Sequence, residues 1–76
     1  MVLEKIIDII SEQLEIDKAV IKANSTLVDD LGAGSLDMID LAMSIEDEFS
    51  IELPDDELDK IKTVADLAAF VEKHLN

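Results

Sequence analysis

Three stretches of the sequence space their apolar residues three and four positions apart, and this pattern constrains the fold more than any other feature. In residues 2–15, Leu3, Ile6, Ile10 and Leu14 fall on one face of a helix. No stretch alternates convincingly between apolar and polar residues, as a half-buried strand would. The spacing therefore predicts an all-α fold.

The second stretch predicts a helix from about Leu36 to Phe49 or Ser50. Pro54 precedes three acidic residues and resembles the start of a third helix, because acids stabilise the positive end of the helix dipole. The connection before the second helix, residues 16–34, reads as a long loop. We expect apolar residues to hold that loop to the core: Ile16, Val20, Ile21, Leu27 and Leu31.

Thr63 and Asp66 form the pattern of a capping box, so the third helix must be short and a last helix should follow, ending near His74. That helix is expected to bury Val64, Leu67, Ala68, Phe70 and Val71. The chain of 76 residues allows one small domain, residues 1–76. We predict a small bundle of three main helices plus one short helix.

The charge is large and unevenly distributed. Nineteen acidic residues against six lysines give a net charge of −13. All six lysines lie outside residues 23–59, a stretch that carries twelve of the nineteen acids. Nucleic acids and anionic lipid surfaces would be repelled, which excludes nucleic-acid binding. No apolar run is long enough to span a bilayer, so we expect no membrane insertion and favour partners with basic surfaces.

Cysteine is absent, which excludes disulfides and thiolate metal sites. Charged residues interrupt the first 15 positions, unlike the continuous apolar segment of a signal peptide. No linker flanks the domain in this sequence, so we expect a discrete protein rather than one module of a larger chain. We expect a cytoplasmic monomer with no specific metal site.

The second helix has two apolar faces. One is the predicted core side, comprising Met38, Leu41, Ala42, Ile45 and Phe49. The other holds Leu36, Ile39 and Met43, bordered by Asp37, Asp40, Glu46 and Asp47. So small a bundle cannot easily cover both faces, and an exposed apolar strip with an acidic rim is typical of a transient docking surface. Scattered exposed apolar residues are also ordinary on any protein.

Ser35 stands directly before this helix. Its simplest role is an N-cap, in which the hydroxyl accepts a hydrogen bond from a free backbone N–H. Nucleophilic catalysis would require a nearby base, and the only histidine, His74, lies at the other end of the chain. Gly32 and Gly34 instead leave room for a close approach, and a helix N-terminus suits a phosphate esterified on the hydroxyl.

The segment "DLGAGSLDMIDLAMSIEDEFSIELPDDELDKIKTVADL" resembles the acyl carrier proteins, and the resemblance extends over essentially the full chain. The family pattern reads D-x-G-x-D-S-L, then an acidic helix ending in E-E-F, then I-P-D-x-x. The matching residues are Asp30, Leu31, Gly32, Ser35, Leu36, Asp37, Glu46, Asp47, Glu48, Phe49, Leu53, Pro54 and Asp55.

The resemblance implies that Ser35 carries 4'-phosphopantetheine, transferred from coenzyme A by a separate magnesium-dependent phosphopantetheinyl transferase. The arm would hold growing acyl chains as thioesters and deliver them to enzymes of fatty acid synthesis, so the chain itself would not be an enzyme. The partner-binding residues implied are Leu36, Asp37, Ile39, Asp40, Met43, Glu46 and Asp47. An acyl cavity would be lined by Ile6, Leu27, Leu41, Ile45, Leu53 and Ile61, which plain core packing would also explain.

Gly34 departs from the family pattern, which has aspartate before the serine. The change is expected to slow loading, narrow the usable transferases or mark a specialised carrier. Alternatives are a carrier for a polyketide or another secondary pathway, and a cofactor-free acidic adaptor in which Ser35 is only a cap. A calcium loop counted from Asp29 to Asp40 is disfavoured, because Leu31 and Ala33 offer no side-chain oxygen where ligands are required.

Overall fold

A computed structural model describes residues 2–75 of the chain. Its helices are α1 (Val2–Leu14), α2 (Ser35–Phe49), α3 (Asp55–Leu58) and α4 (Val64–His74), with a single 3-10 turn at Lys18–Val20. Apart from one isolated bridge between Thr26 and Thr63, residues 2–75 contain no β-structure. The predicted bundle of three main helices and one short helix is confirmed. None of these helices is long and apolar enough to cross a membrane.

Helix α1 lies at the centre of the bundle and packs against both α2 and α4. Ile6 and Ile10 on its inner face are completely buried. The predicted core side of α2 faces them, with Leu41, Ala42 and Ile45 buried. Removing each large aliphatic side chain from water contributes about 1.5–3 kcal/mol, so this apolar interior is the main source of stability.

The long connection between α1 and α2 is ordered by backbone hydrogen bonds to the segment before α4. Leu27 N–H donates to the carbonyl of Lys62 at 2.9 Å, and Val64 N–H donates to the carbonyl of Ser25 at 3.0 Å. Ala65 N–H donates to Ala23 at 2.8 Å. These bonds join the connection between α1 and α2 to Lys62 and to the first two residues of α4, so this connection does not depend only on side-chain contacts.

One loop residue was predicted wrongly. Val20 was expected to hold the loop to the core, but 58% of its surface is exposed. The 3-10 turn that contains it lies on the surface, where the Asp17 carboxylate accepts a hydrogen bond from Ala19 N–H at 3.0 Å. Ile21, the next residue, is buried instead and supplies the apolar contact.

The predicted capping box at the start of α4 is confirmed. The Thr63 hydroxyl accepts a hydrogen bond from Asp66 N–H at 3.0 Å, and Asp66 Oδ2 accepts from Thr63 N–H at 3.2 Å. Asp66 Oδ2 also accepts from Lys62 N–H at 3.1 Å. The bond from Lys62 and the bond from Thr63 favour the charged carboxylate, and they lower the pKa of Asp66 below its ordinary value.

This shift predicts an acid-dependent contribution to stability. Because the folded-state pKa of Asp66 lies below the unfolded-state value, its contribution is present above the unfolded pKa and is lost as pH falls through the folded pKa. We expect Asp66→Asn to lower the free energy of unfolding at neutral pH and to have less effect in acid. Urea denaturation at pH 7 and at about pH 3 measures the free energy of unfolding of the parent and the variant under both conditions.

The matched control for this prediction is Glu72→Gln, an exposed acid on the same helix. It removes one negative charge without removing a cap. Two results would contradict the stabilising role of the Asp66 carboxylate. One is a loss of unfolding free energy in Asp66→Asn that is the same at both pH values. The other is a loss at pH 7 no larger than that of Glu72→Gln.

Candidate functional site

Ser35 is the first residue of α2, and its side chain is exposed. The N-cap is the preceding residue, Gly34, whose backbone is extended with φ −80° and ψ −178°. The carbonyl of Gly34 accepts the first helical hydrogen bond, from Met38 N–H at 2.9 Å. The prediction that Ser35 caps the helix is therefore wrong by one position, because the chain enters the helix one residue earlier than expected.

Asp37 provides the side-chain cap at this end of the helix. Its Oδ2 accepts a hydrogen bond from Gly34 N–H at 3.1 Å. A carboxylate in the first helical turn also interacts favourably with the positive end of the dipole. Within residues 2–75 the Ser35 hydroxyl makes no hydrogen bond, so it is available to react with or bind another molecule.

The two glycines before Ser35 differ in whether the backbone conformation favours glycine. Gly32 has φ +74°, a left-handed conformation that side chains with a Cβ rarely adopt. Gly34 has an ordinary extended backbone, and a Cβ built on it would meet only Asp37 Oδ2, at 3.8 Å. The turn requires glycine at position 32, whereas position 34 has room for a larger residue.

A cleft of about 680 Å³ opens beside Ser35. Its walls come from the loop before α2, the first turns of α2, helix α3 and the segment before α4. The lining residues that matter below are Val28, Ser35, Met38, Leu58, Ile61 and Lys62. The exposed Ser35 hydroxyl therefore lies at the edge of a mostly apolar depression, with charged residues around it.

The six residues predicted to line an acyl cavity are all buried, with exposures between 0% and 7%: Ile6, Leu27, Leu41, Ile45, Leu53 and Ile61. Of these, only Ile61 borders the cleft beside Ser35. The other five belong to the buried core of the bundle. A role for them in an acyl cavity remains a prediction.

Several lining residues were missed by sequence reasoning. Val28, Leu58 and Lys62 border the cleft but belong to a loop, a four-residue helix and a connection. Such segments have no helical period that would reveal which side chains face together. The one available signal was Val28, a β-branched apolar residue directly followed by two aspartates, and it is 58% exposed.

The outer face of α2 is exposed as predicted. Leu36, Ile39 and Met43 have exposures of 78%, 48% and 58%. At ~100° per residue, Leu36, Met43, Asp40 and Asp47 share one side of the helix, roughly opposite the buried residues. Both acids are exposed. This surface, which we call the outer α2 face, is an apolar strip with two carboxylates beside it.

The other two predicted docking acids lie on the flanks of the helix and have partners within the chain. Asp37 caps the helix, as described above. Glu46 Oε2 accepts a hydrogen bond from Leu53 N–H at 2.7 Å, which ties the end of α2 to the connection before α3. Both side chains are half-buried. Their contribution to docking remains a prediction, but each has a structural role that the sequence pattern did not reveal.

The local structure does not suit calcium-loop or histidine-assisted chemistry. Residues 35–40, the second half of the loop counted from Asp29, are already helical and cannot wrap an ion. Within residues 2–75 no cluster of three or more metal-ligating side chains occurs. His74 stacks on Phe70 with ring centroids 4.2 Å apart and does not border the cleft.

This arrangement suits a covalently attached group. An exposed hydroxyl with no internal partner is accessible to a modifying enzyme, and the adjoining cleft can take an elongated group that is partly apolar. The positive end of α2 favours a phosphate at that hydroxyl. The residues present therefore fit a phosphate-linked arm at Ser35.

Comparison with known proteins agrees with this geometry. Residues 4–71 match the family model described as "Phosphopantetheine attachment site". The chain is 49% identical to an acyl carrier protein of Clostridium acetobutylicum over 97% of its own length and 96% of that protein. It is 43% identical to an acyl carrier protein of Thermotoga maritima, covering 97% of this chain and 91% of that one.

The fold agrees as well. The solved structure of a candidate acyl carrier protein from Mycobacterium tuberculosis superposes with a TM-score of 0.90 at 38% identity, covering 96% of this chain and 97% of that one. Members of the family bear phosphopantetheine and hold acyl groups for other proteins. The chain belongs to the acyl carrier proteins, and it is a carrier rather than an enzyme.

Proposed function

We propose that Ser35 is the residue that bears 4'-phosphopantetheine. The observation that carries this proposal is the position of its hydroxyl, which is exposed, without a hydrogen-bond partner among residues 2–75, and at the edge of the cleft. In the loading step the hydroxyl loses its proton and its Oγ bonds to phosphorus. The pyrophosphate bond of coenzyme A breaks, and the adenosine bisphosphate leaves. When bound, the arm supplies a thiol that holds an acyl group as a thioester.

The cleft supports a role for the chain's own residues in sheltering that arm. Met38, Leu58 and Ile61 give it apolar walls, while Ser35 stands at its edge. An acyl thioester resting there would be less accessible to water than one in free solution. We infer that growing acyl chains of fatty acid synthesis are the cargo. A polyketide or other specialised pathway is the second candidate, favoured by the departure from the family pattern at Gly34.

The outer α2 face is the proposed docking surface for the transferase and for acyl synthesis and transfer enzymes with basic surfaces. Leu36 and Met43 supply apolar contacts, and Asp40 and Asp47 supply exposed charge. Charge complementarity of this kind speeds encounter and weakens with salt, so partners can leave quickly. A carrier that visits several enzymes needs this rapid exchange. We further propose that the carrier acts as a monomer in the cytoplasm.

The first prediction from the proposed function concerns attachment. Incubation with coenzyme A, magnesium and a broad-specificity phosphopantetheinyl transferase should add one phosphopantetheine to the parent and none to Ser35→Ala. The folded state should persist in the variant, because the Ser35 hydroxyl has no hydrogen-bond partner among residues 2–75. Intact mass reports the loading, and circular dichroism reports the helices.

Ser44→Ala is a useful control for this experiment, since Ser44 lies on the same helix and donates a hydrogen bond to Gln13 at 3.0 Å. It should load normally. A Ser35→Ala variant that still gains the cofactor would place the attachment elsewhere. A parent that gains no mass with any of several transferases, even after Gly34→Asp, would favour the cofactor-free adaptor.

The second prediction concerns Gly34. The backbone there accepts a side chain, and a new Cβ meets only Asp37 Oδ2, at 3.8 Å. We therefore expect Gly34→Asp to fold with a free energy of unfolding within about 1 kcal/mol of the parent's. If aspartate at this position aids recognition, loading should become faster. The rate of mass gain under limiting transferase measures the effect, and an unchanged rate would show that the transferase does not read position 34.

The third prediction concerns the docking acids. Replacing Asp40 and Asp47 together by asparagine should raise the KM for loading about three- to tenfold at low salt, because two exposed charge pairs are lost. The difference should shrink as salt is added. The control is Glu4→Gln with Glu72→Gln, which makes the same change in net charge at exposed positions outside α2. Equal effects of the two double variants would argue for general charge attraction and against a defined docking face.

A further inference from the structure

The cleft beside Ser35 has an uneven set of charges. Asp29, Asp55 and Asp59 line it, and Lys62 is the one cation among its lining residues. An anionic group placed at this cleft is repelled by the three carboxylates. Besides the positive end of α2, Lys62 is the one cationic side chain that can offset this repulsion, and no other lysine described in residues 2–75 lines the cleft.

The backbone of Lys62 is held on both sides. Its N–H donates to Asp66 Oδ2 at 3.1 Å, and its carbonyl accepts from Leu27 N–H at 2.9 Å. The carbonyl of Leu27 in turn accepts from Ala33 N–H at 2.9 Å. Lys62 is therefore bonded to Leu27 and, through it, to Ala33, which lies two residues before Ser35. These backbone hydrogen bonds fix the position of the Lys62 Cα relative to Ser35.

The Lys62 ammonium forms no ion pair with a carboxylate among residues 2–75. Three other lysines form ion pairs: Lys5 with Glu48 at 3.1 Å, Lys18 with Asp8 at 2.7 Å and Lys60 with Glu57 at 3.4 Å. Among the residues that the structure describes, Lys62 forms none. Although Asp59 and Asp55 border the same cleft, the side chain stays exposed and available. Lys22 and Lys73 form no ion pair among residues 2–75 either, but neither lines the cleft, so Lys62 alone combines a free ammonium with this position.

We propose that Lys62 is a positioning residue for the prosthetic arm: its ammonium pairs with the phosphodiester on Ser35 and keeps the arm along the cleft. The proposal rests on attachment at Ser35. A lysine ammonium is a compact charge on a flexible stem, suited to a phosphate that must later be released to a partner enzyme. An exposed pair of this kind is weak and salt-sensitive, which suits an arm that alternates between the cleft and other active sites.

The test compares holo forms of the parent, Lys62→Gln, Lys62→Arg and Lys60→Gln. Lys60 is the matched control, because it is an exposed lysine two residues away that pairs with Glu57 and does not line the cleft. Loading is checked first by intact mass. Phosphorus NMR of the diester over a salt series then reports the pair directly. The rate at which the arm's thiol reacts with a disulfide reagent reports whether the arm rests in the cleft.

We expect the phosphorus resonance of the parent to shift as salt is raised, and that of Lys62→Gln to be insensitive to salt. The thiol of Lys62→Gln should react roughly two- to fivefold faster than the parent's at low salt. Lys62→Arg should resemble the parent, and so should Lys60→Gln. This set of results would support the pair, since a general loss of positive charge would affect both glutamine variants equally.

Two results would overturn the inference, and they are distinguishable. If all four proteins load on Ser35 but Lys62→Gln and Lys60→Gln behave alike in both measurements, Lys62 has no special role while the attachment stands. If the parent gains no mass, or gains it at another residue, the proposed attachment at Ser35 is wrong and the role of Lys62 falls with it.

Discussion

The hydrogen bonds from Leu27 N–H to Lys62 and from Ala33 N–H to Leu27, both 2.9 Å long, support the rest of the site. They join Leu27 and Ala33, six residues apart in the connection before α2, to Lys62 in the distant connection before α4, and none of the three lies in a helix. Buried polar backbone groups must be paired, and these segments pair with each other. Leu27 and Ala33 are each 1% exposed, so the same crossing also closes the core. Ser35 lies two residues after Ala33, so these hydrogen bonds position both the start of α2 and one wall of the cleft.

The acidic side chains of α2 fall into two groups: some accept hydrogen bonds from the backbone, and others are exposed to solvent. Asp37 and Glu46 each accept a backbone hydrogen bond, one at the start of α2 and the other beyond its end. Asp40 and Asp47, one helical side away, remain exposed. The flanking acids stabilise the ends of the helix, whereas the outward acids form part of the proposed docking surface. A net charge of −13 opposes compactness through self-repulsion, and the fully buried aliphatic core offsets that cost.

Periodicity predicted what lies on regular helices and failed where the chain is irregular. The two faces of α2 followed from ~100° per residue, and Leu36 and Ile45 lie on the outer and inner faces as expected. The start of α2 was placed one residue late, because glycine at an N-cap gives no side-chain signal. The cleft was predicted least well. Its walls include Val28 and Lys62, whose juxtaposition depends on hydrogen bonds between loops that no local pattern encodes.

At position 34 the residue type that the family pattern carries is not one that the fold requires. The backbone at this position is extended and the space around it is open, so neither the turn nor the packing calls for glycine. Gly32, at φ +74°, is different, since the turn itself requires it. An aspartate at position 34 would add a second carboxylate near Asp37, which already caps the helix through the Gly34 N–H. The fold is therefore indifferent to the side chain that the family pattern carries here. We therefore expect the difference between aspartate and glycine at this position to act on partners that approach Ser35 rather than on the fold.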